Sequence, residues 1–167
     1  MPDYDQNKAH YIVATAIVVK DGKYLITKRA PHEKAFPNQW TVPGGKLNLS
    51  EYKSRAQDVE KEGLWYNILE DLVKREVMEE TGLKIKNLDY VTSLVYIRSD
   101  NIPTLIISMS ADYASGEVVL SEDMTDYAWV TLEESKEHDL IGGIYEELEI
   151  LDQKLKSGER LEWNKKI

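Results

Sequence analysis

The chain has 167 residues, the size of one ordinary domain, and 42% of them are hydrophobic, enough to build a core. A formal net charge of −9 argues against the basic stripe needed to grip a DNA or RNA backbone, and the absence of cysteine excludes disulfides, thiolate metal sites and a Cys nucleophile. The first residues lack an apolar signal-peptide core, and apolar runs such as Ala16 to Val19 are too short to span a bilayer, so the simplest reading is a soluble cytoplasmic protein with no membrane contact.

Tyr11 to Val19 is rich in β-branched residues and reads as a strand. Asp21-Gly22 signals a turn, and Lys23 to Thr27 reads as the return strand. Ala30 to Gln39 reads as a loop, and Trp40-Thr41-Val42 as a short strand ending at Pro43-Gly44-Gly45. The charged stretch from Lys46 to about Tyr66 is either a helical excursion or a loop. Asn67 to Thr81 reads as a helix, with Asn67 as N-cap and Gly82 as its stop. Strands are expected at about Leu83 to Arg98, Thr104 to Tyr113 and Asp126 to Val130. A short helix is expected at Glu133 to His138, and a C-terminal helix at Ile144 to Lys156 with Ile144, Leu148, Leu151 and Leu155 at helical spacing. Strands and helices mix without βαβ alternation, which predicts an α+β fold with a mixed sheet packed between helices. There is no repeat or linker, so residues 1–167 read as one domain.

The most informative segment runs from Arg75 to Leu83. At about 100° per residue, Ile68, Leu69, Leu72 and Val73 share one sector of the helix with Glu76, Glu79 and Glu80. The projection predicts an apolar stripe that continues into a carboxylate stripe, both pointing inward. An exposed acidic patch is the competing reading, since like charges on a solvated helix cost only about 0.2–0.5 kcal/mol per pair. On a partly buried face, carboxylates about 6 Å apart repel by roughly 3 kcal/mol per pair at an effective dielectric near 20. Such a cluster calls for a cation that prefers oxygen ligands, magnesium or manganese.

Upstream lies Pro43-Gly44-Gly45-Lys46-Leu47-Asn48-Leu49-Ser50-Glu51. Together the two segments resemble the Nudix box, G-x5-E-x7-R-E-U-x-E-E-x-G-U, where U is a bulky aliphatic residue. Gly45 and Glu51 match its first part; Arg75, Glu76, Val77, Glu79, Glu80, Gly82 and Leu83 match its second. The flanks are similar too: a strand ending in Lys28-Arg29, then a loop leading to Trp40-Thr41-Val42-Pro43. One departure is plain. The family places seven residues between the box Glu and Arg, whereas here Tyr52 to Lys74 intervene, 23 residues. Either the box carries a charged insertion at about residues 52–67, or Asn67 takes the place of the box Glu; the intact spacing of Gly45 and Glu51 favours the insertion.

The resemblance implies a Nudix-like α/β/α sandwich with a central mixed β-sheet. It implies metal ligands at the Gly44 carbonyl, Glu76, Glu79 and Glu80, with Mg2+ or Mn2+ as cofactor. One of those glutamates would act as base, Arg75 would brace the loop by an ion pair, and Glu51 would hold the loop against the helix. An additional loop acid is expected at Glu122, with Asp123 and Asp126 behind it. Arg29, Trp40, Phe36 and Lys46 are candidate substrate contacts. Their bland readings are a strand-end cation, two core aromatics and a solvated lysine. The three histidines, His10, His32 and His138, show no ligand spacing.

The implied activity is metal-dependent hydrolysis of a diphosphate bond in a small nucleotide-like substrate, first a nucleoside triphosphate giving monophosphate and pyrophosphate. The alternatives are a nucleotide sugar or ADP-ribose as substrate, or a non-catalytic nucleotide-binding module. Isopentenyl-diphosphate isomerases share the fold but rely on a cysteine, which this chain lacks. No nucleic acid polymer is expected as partner, and a homodimer would fit the family.

Overall fold

The computed structural model describes residues 4–166. Strands β1 (Tyr11–Lys20) and β2 (Lys23–Arg29) form a hairpin with Val19 opposite Tyr24 and Lys20 opposite Lys23. Its two turn residues, Asp21 (φ 51°) and Gly22 (φ 73°), are both left-handed. That is the turn geometry whose twist matches the flanking strands. Strand β3 (Trp40–Thr41) pairs with β2. The glycine pair itself forms a short strand, β4 (Gly44–Lys46), antiparallel to β1. That strand was not expected, because two glycines carry no strand propensity. At Gly44 the backbone lies so close to β1 that a side chain is excluded.

Strands β5 (Lys84–Ile97), β6 (Pro103–Ser115) and β7 (Met124–Val130) complete one seven-stranded sheet. Its main path is β3-β2-β1-β6-β5, with β4 also on β1 and β7 also on β2. The β1–β6 pair is parallel and the other pairs are antiparallel. The sheet is therefore mixed, as expected.

Helix α1 (Leu49–Lys53) is short, α2 is Ile68–Thr81, α3 is Leu132–Ser135, and α4 is Ile144–Ser157. Alternation along β1 divides the core between the two long helices. Ala14, Ala16 and Val18 pack with Leu72, Val73 and Val77 of α2. Ile17 packs with Ile144, Leu148 and Leu151 of α4. The result is a sheet sandwiched between helices. Among the described residues, no helix is long and apolar enough to cross a membrane.

Three local expectations differ from the structure. Asn67 precedes α2 in the left-handed region (φ 56°), and its side chain does not cap the helix. Leu155, placed on the apolar stripe of α4 by spacing, is exposed because the helix runs past the edge of the core. The buried face of α2 is turned toward Val77 and Thr81, both fully buried. This rotation leaves Glu79 exposed, while Glu76 and Glu80 stay half-buried. The stretch after α1 is mainly turns, with a single bridge between Val59 and Leu64. It is tied to α2 by Arg55, which donates to Asp71 Oδ2 (3.1 Å) and to the Tyr66 carbonyl (2.8 Å).

Candidate active site

The site forms where the last turns of α2 meet β4. Gly45 pairs with Ala14 and Gly44 with Thr15, so the glycine strand is threaded between β1 and α2. A Cβ at Gly44 would lie 2.5 Å from the Ala14 carbonyl, and one at Gly45 would lie 2.3 Å from Glu76 Cδ. A side chain is thus excluded at Gly44 by the backbone of β1, and at Gly45 while Glu76 keeps its place, so backbone comes within contact of two carboxylates. The Gly44 N–H donates to Glu80 Oε2 at 3.3 Å.

Arg75 binds this group together from below. Its guanidinium lies 2.8 Å from Glu51 Oε1, 3.0 Å from Glu76 Oε1 and 3.2 Å from Glu79 Oε2. Glu51 therefore reaches Arg75 across the whole intervening segment, whereas Asn67 stays exposed at the start of α2.

Burial sets the electrostatics. Burial, then the negative charge of Glu76, pushes the Glu80 carboxyl up to about 8, against the opposing pull of the Gly44 N–H and the Arg29 charge. Burial also raises Glu76, with Arg75 opposing and Glu79 and Glu51 adding to the rise. Two carboxylates so close in a partly dry site resist joint ionisation unless positive charge joins them. The Gly44 carbonyl with Glu76 and Glu80 offers oxygen donors suited to a hard divalent cation, whereas Glu79 is exposed and paired with Arg75, so the three glutamates do not converge on one point as they stand.

A second group approaches Glu80 from the loops. Ala30 N–H donates to the Asp123 carbonyl (2.8 Å), and Ser121 N–H to the Glu80 carbonyl (3.1 Å). These bonds bring the β2–β3 loop and the segment before β7 to the end of α2. His32, Glu33 and Asp123 present ligand atoms within 4.8 Å of one another. Arg29 donates to the Ala35 carbonyl (2.8 Å) and pairs with Glu33. Asp123 adds negative charge to the surroundings of Glu80. Glu122 is exposed, and it is Asp123 that faces His32. His32 and Asp123 are 91 positions apart, so no local spacing rule would have joined them.

The other candidates are more scattered. Trp40 is half-buried, edge-on to His138 (4.6 Å between centroids), and its backbone is bonded to Asp139 and Ile141. Phe36 is exposed, left-handed (φ 51°) and 5.9 Å from the Tyr96 ring. Lys46 is exposed, with Nζ 5.8 Å from the Tyr11 ring.

No family model matches the chain. The chain is similar to the nucleoside triphosphatase NudI of Klebsiella pneumoniae, 25% identical over 138 residues, covering 77% of this chain and 86% of that protein. Its fold is similar to a MutT Nudix hydrolase from Burkholderia pseudomallei, with a TM-score of 0.68, 21% identity, and 86% of this chain and 99% of that one covered. It is also similar to the Nudix domain of Shewanella oneidensis NrtR, solved with ADP ribose, with a TM-score of 0.67, 17% identity, and 92% and 94% covered. The box residues and the curated relatives are similar to those of the Nudix superfamily, and the solved structures show that the chain has the Nudix fold.

Proposed function

We propose that this protein hydrolyses a diphosphate bond in a nucleotide-like small molecule with the help of a divalent cation, Mg2+ first and Mn2+ second. The substrate class proposed first is a nucleoside triphosphate, cut to a monophosphate and pyrophosphate. The observation that carries the reading is the close approach of Glu80 and Glu76 to the side-chain-free backbone of Gly44 and Gly45. The nucleoside triphosphatase activity named for a relative 25% identical to this chain supports the choice of substrate.

In this reading the Gly44 carbonyl, Glu76, Glu79 and Glu80 hold the cation. A divalent cation held there would supply charge neutralisation at the diphosphate and would acidify a water. Arg75 and Glu51 keep the glycine strand and helix in register. Arg29 offers positive charge beside Glu80 toward the phosphates. Half-buried Glu80 is the base proposed to accept the proton of the attacking water. Water oxygen bonds to phosphorus, the bridging P–O bond breaks, and the leaving phosphate oxygen takes the electron pair.

The test is release of phosphate and pyrophosphate from nucleoside triphosphates, nucleotide sugars and ADP-ribose with magnesium, comparing wild type with Glu79→Gln and Glu80→Gln. Turnover lost in both variants is the expected result. Folded protein with no turnover on any member overturns the hydrolase reading. It would favour a binding module, the reading supported by the likeness to a domain solved with ADP ribose.

A further inference from the structure

The chain does not leave the sheet where α4 ends. Gly158 is left-handed (φ 74°) and its N–H donates to the Lys154 carbonyl (2.8 Å), which stops the helix and turns the chain back. Residues 160–166 carry no helix, strand or turn, yet three contacts stitch this segment back along α4. The Arg160 guanidinium lies 4.6 Å from the centre of the Tyr90 ring on β5. Trp163 lines a cavity, and Lys166 Nζ lies 2.6 Å from Glu149 Oε1. From Glu149 to Ser157 the helix advances about 12 Å. The extended chain from Gly158 to Lys166 can span up to about 26 Å, so the return needs no strain.

The cavity is open, about 360 Å³, with Thr92 and Leu94 of β5 and Gly143, Glu146 and Ile150 at α4 also in its lining. One of its walls is therefore supplied by a segment outside the sheet and helices. Trp163 keeps 55% of its surface exposed there, a large indole face with nothing against it. The sheet register ties this cavity to the active site. Gly44 is opposite Thr15, Thr15 opposite Ser108, and Ser108 opposite Thr92. At about 4.8 Å per strand, Thr92 lies roughly 14 Å from Gly44, within reach of a small molecule whose diphosphate is held at the glycines.

The attachments are weak. The Lys166 side chain is 75% exposed, and a surface ion pair of this kind shifts an equilibrium by a factor of about five at most. An exposed cation–π contact does no more. Keeping the segment ordered opposes both, so it sits near the balance between attached and detached. We propose that residues 159–166 form a strap that swings off the cavity to admit the part of the substrate beyond its diphosphate, and then closes on it through Trp163; this rests on the hydrolase reading above. An occupant covers indole surface that is bare without it, so binding favours the closed strap.

The experiment follows cleavage after Arg160 by a dilute arginine-specific protease, read by intact mass, in the full chain with magnesium. The probes are the α,β-methylene analogues of ATP, GTP, CTP and UTP, with thermal shifts to find which of them bind. Wild type, Trp163→Ala and Trp163→Phe are compared, and steady-state kinetics on the four triphosphates run alongside. Cleavage of the free protein should be ready, and a bound analogue at ten times its dissociation constant should slow it about tenfold. Trp163→Ala should lose most of that protection and Trp163→Phe should keep it. KM should rise several-fold in Trp163→Ala while kcat changes less than twofold. Free protein that resists cleavage, a bound analogue that leaves cleavage unchanged, or equal protection in Trp163→Ala overturns the strap; turnover seen beside any of these leaves the hydrolase reading standing. Protection without turnover of any triphosphate keeps the strap and overturns the hydrolase reading. Neither binding nor turnover overturns both.

Discussion

Gly45 and Glu76 occupy one space: a Cβ on the glycine would sit 2.3 Å from the Cδ of the carboxylate. Nothing larger than hydrogen fits while Glu76 keeps its place beside Arg75. Gly45→Ala is therefore expected to displace either the carboxylate or the β4 strand from β1. The Glu76 side chain is flexible, so the fold should survive with a loss of about 1–3 kcal/mol. Turnover should fall much further, on the order of a hundredfold, because a misplacement of about 1 Å costs that much at a reacting centre. Urea denaturation alongside steady-state kinetics checks both halves. An alanine variant with wild-type kcat would show that Glu76 has no positional role.

The carboxylates on α2 make a second expectation. Burial and Glu76 hold Glu80 at about 8, so the site resists full ionisation on its own. A bound divalent cation relieves that repulsion and stabilises the folded chain, by about 1.4 kcal/mol when its concentration is ten times the dissociation constant. Magnesium at millimolar concentration should raise Tm, and EDTA should reverse the rise. In Glu80→Gln the shift should shrink or vanish, although the apo protein is no less stable. An equal magnesium shift in wild type and in the variant would place the cation elsewhere, with His32, Glu33 and Asp123 the next group to alter.

Most of the sheet was legible in the sequence because its strands are β-branched and its turn at Asp21-Gly22 is explicit. The helical carboxylates were legible for a similar reason: Glu76, Glu79 and Glu80 lie within one helix and obey one period. What that period could not give was its phase. Val77 and Thr81 draw the buried face round, so Glu79 points to solvent and to Arg75. The β4 strand was hidden because its pairing uses backbone alone. Asp123 and His32 were hidden because their meeting depends on two loops pinned by the Ala30–Asp123 backbone bond. Glu147 was hidden most completely. On the helix it reads as one more surface acid, and only the sheet packed against α4 makes it a buried one.

Glu147 also makes stability depend on pH. Burial first, then the neighbouring charge of Glu146, raises its carboxyl from 4.5 to about 7, with Ser108 opposing. The folded chain holds this proton more tightly than the unfolded chain does. The linked stability is therefore fully present below pH 4.5 and is lost as pH rises through about 7. The full span amounts to at most about 3 kcal/mol. Glu147→Gln, similar in shape and never charged, should flatten the stability profile between pH 5 and 8 and be more stable than wild type at the alkaline end. Denaturant melts at three pH values check this. Parallel profiles for wild type and variant would mean that Glu147 keeps an ordinary pKa.

Arg55 ties the segment after α1 to α2. One arm of its guanidinium meets Asp71 and the other the Tyr66 carbonyl, while Trp65 Nε1 donates to the Arg55 carbonyl (3.2 Å). All these groups are partly or fully solvent-exposed, so the ties should contribute little to global stability, below about 1 kcal/mol. Locally they hold much of the stretch, whose residues from Ser54 to Leu64 are all exposed. Arg55→Ala should therefore leave Tm nearly unchanged and speed proteolytic nicking within residues 54–66, measured as the first cleavage by a dilute protease that cuts at lysine, such as at Lys61. Turnover should change little, because Glu51 still reaches Arg75 directly from α1. If nicking is unchanged, other contacts hold the segment. If turnover collapses while Tm stays, the segment is coupled to the glutamates through Asp71 and α2, and Arg55 becomes a positioning residue for the site.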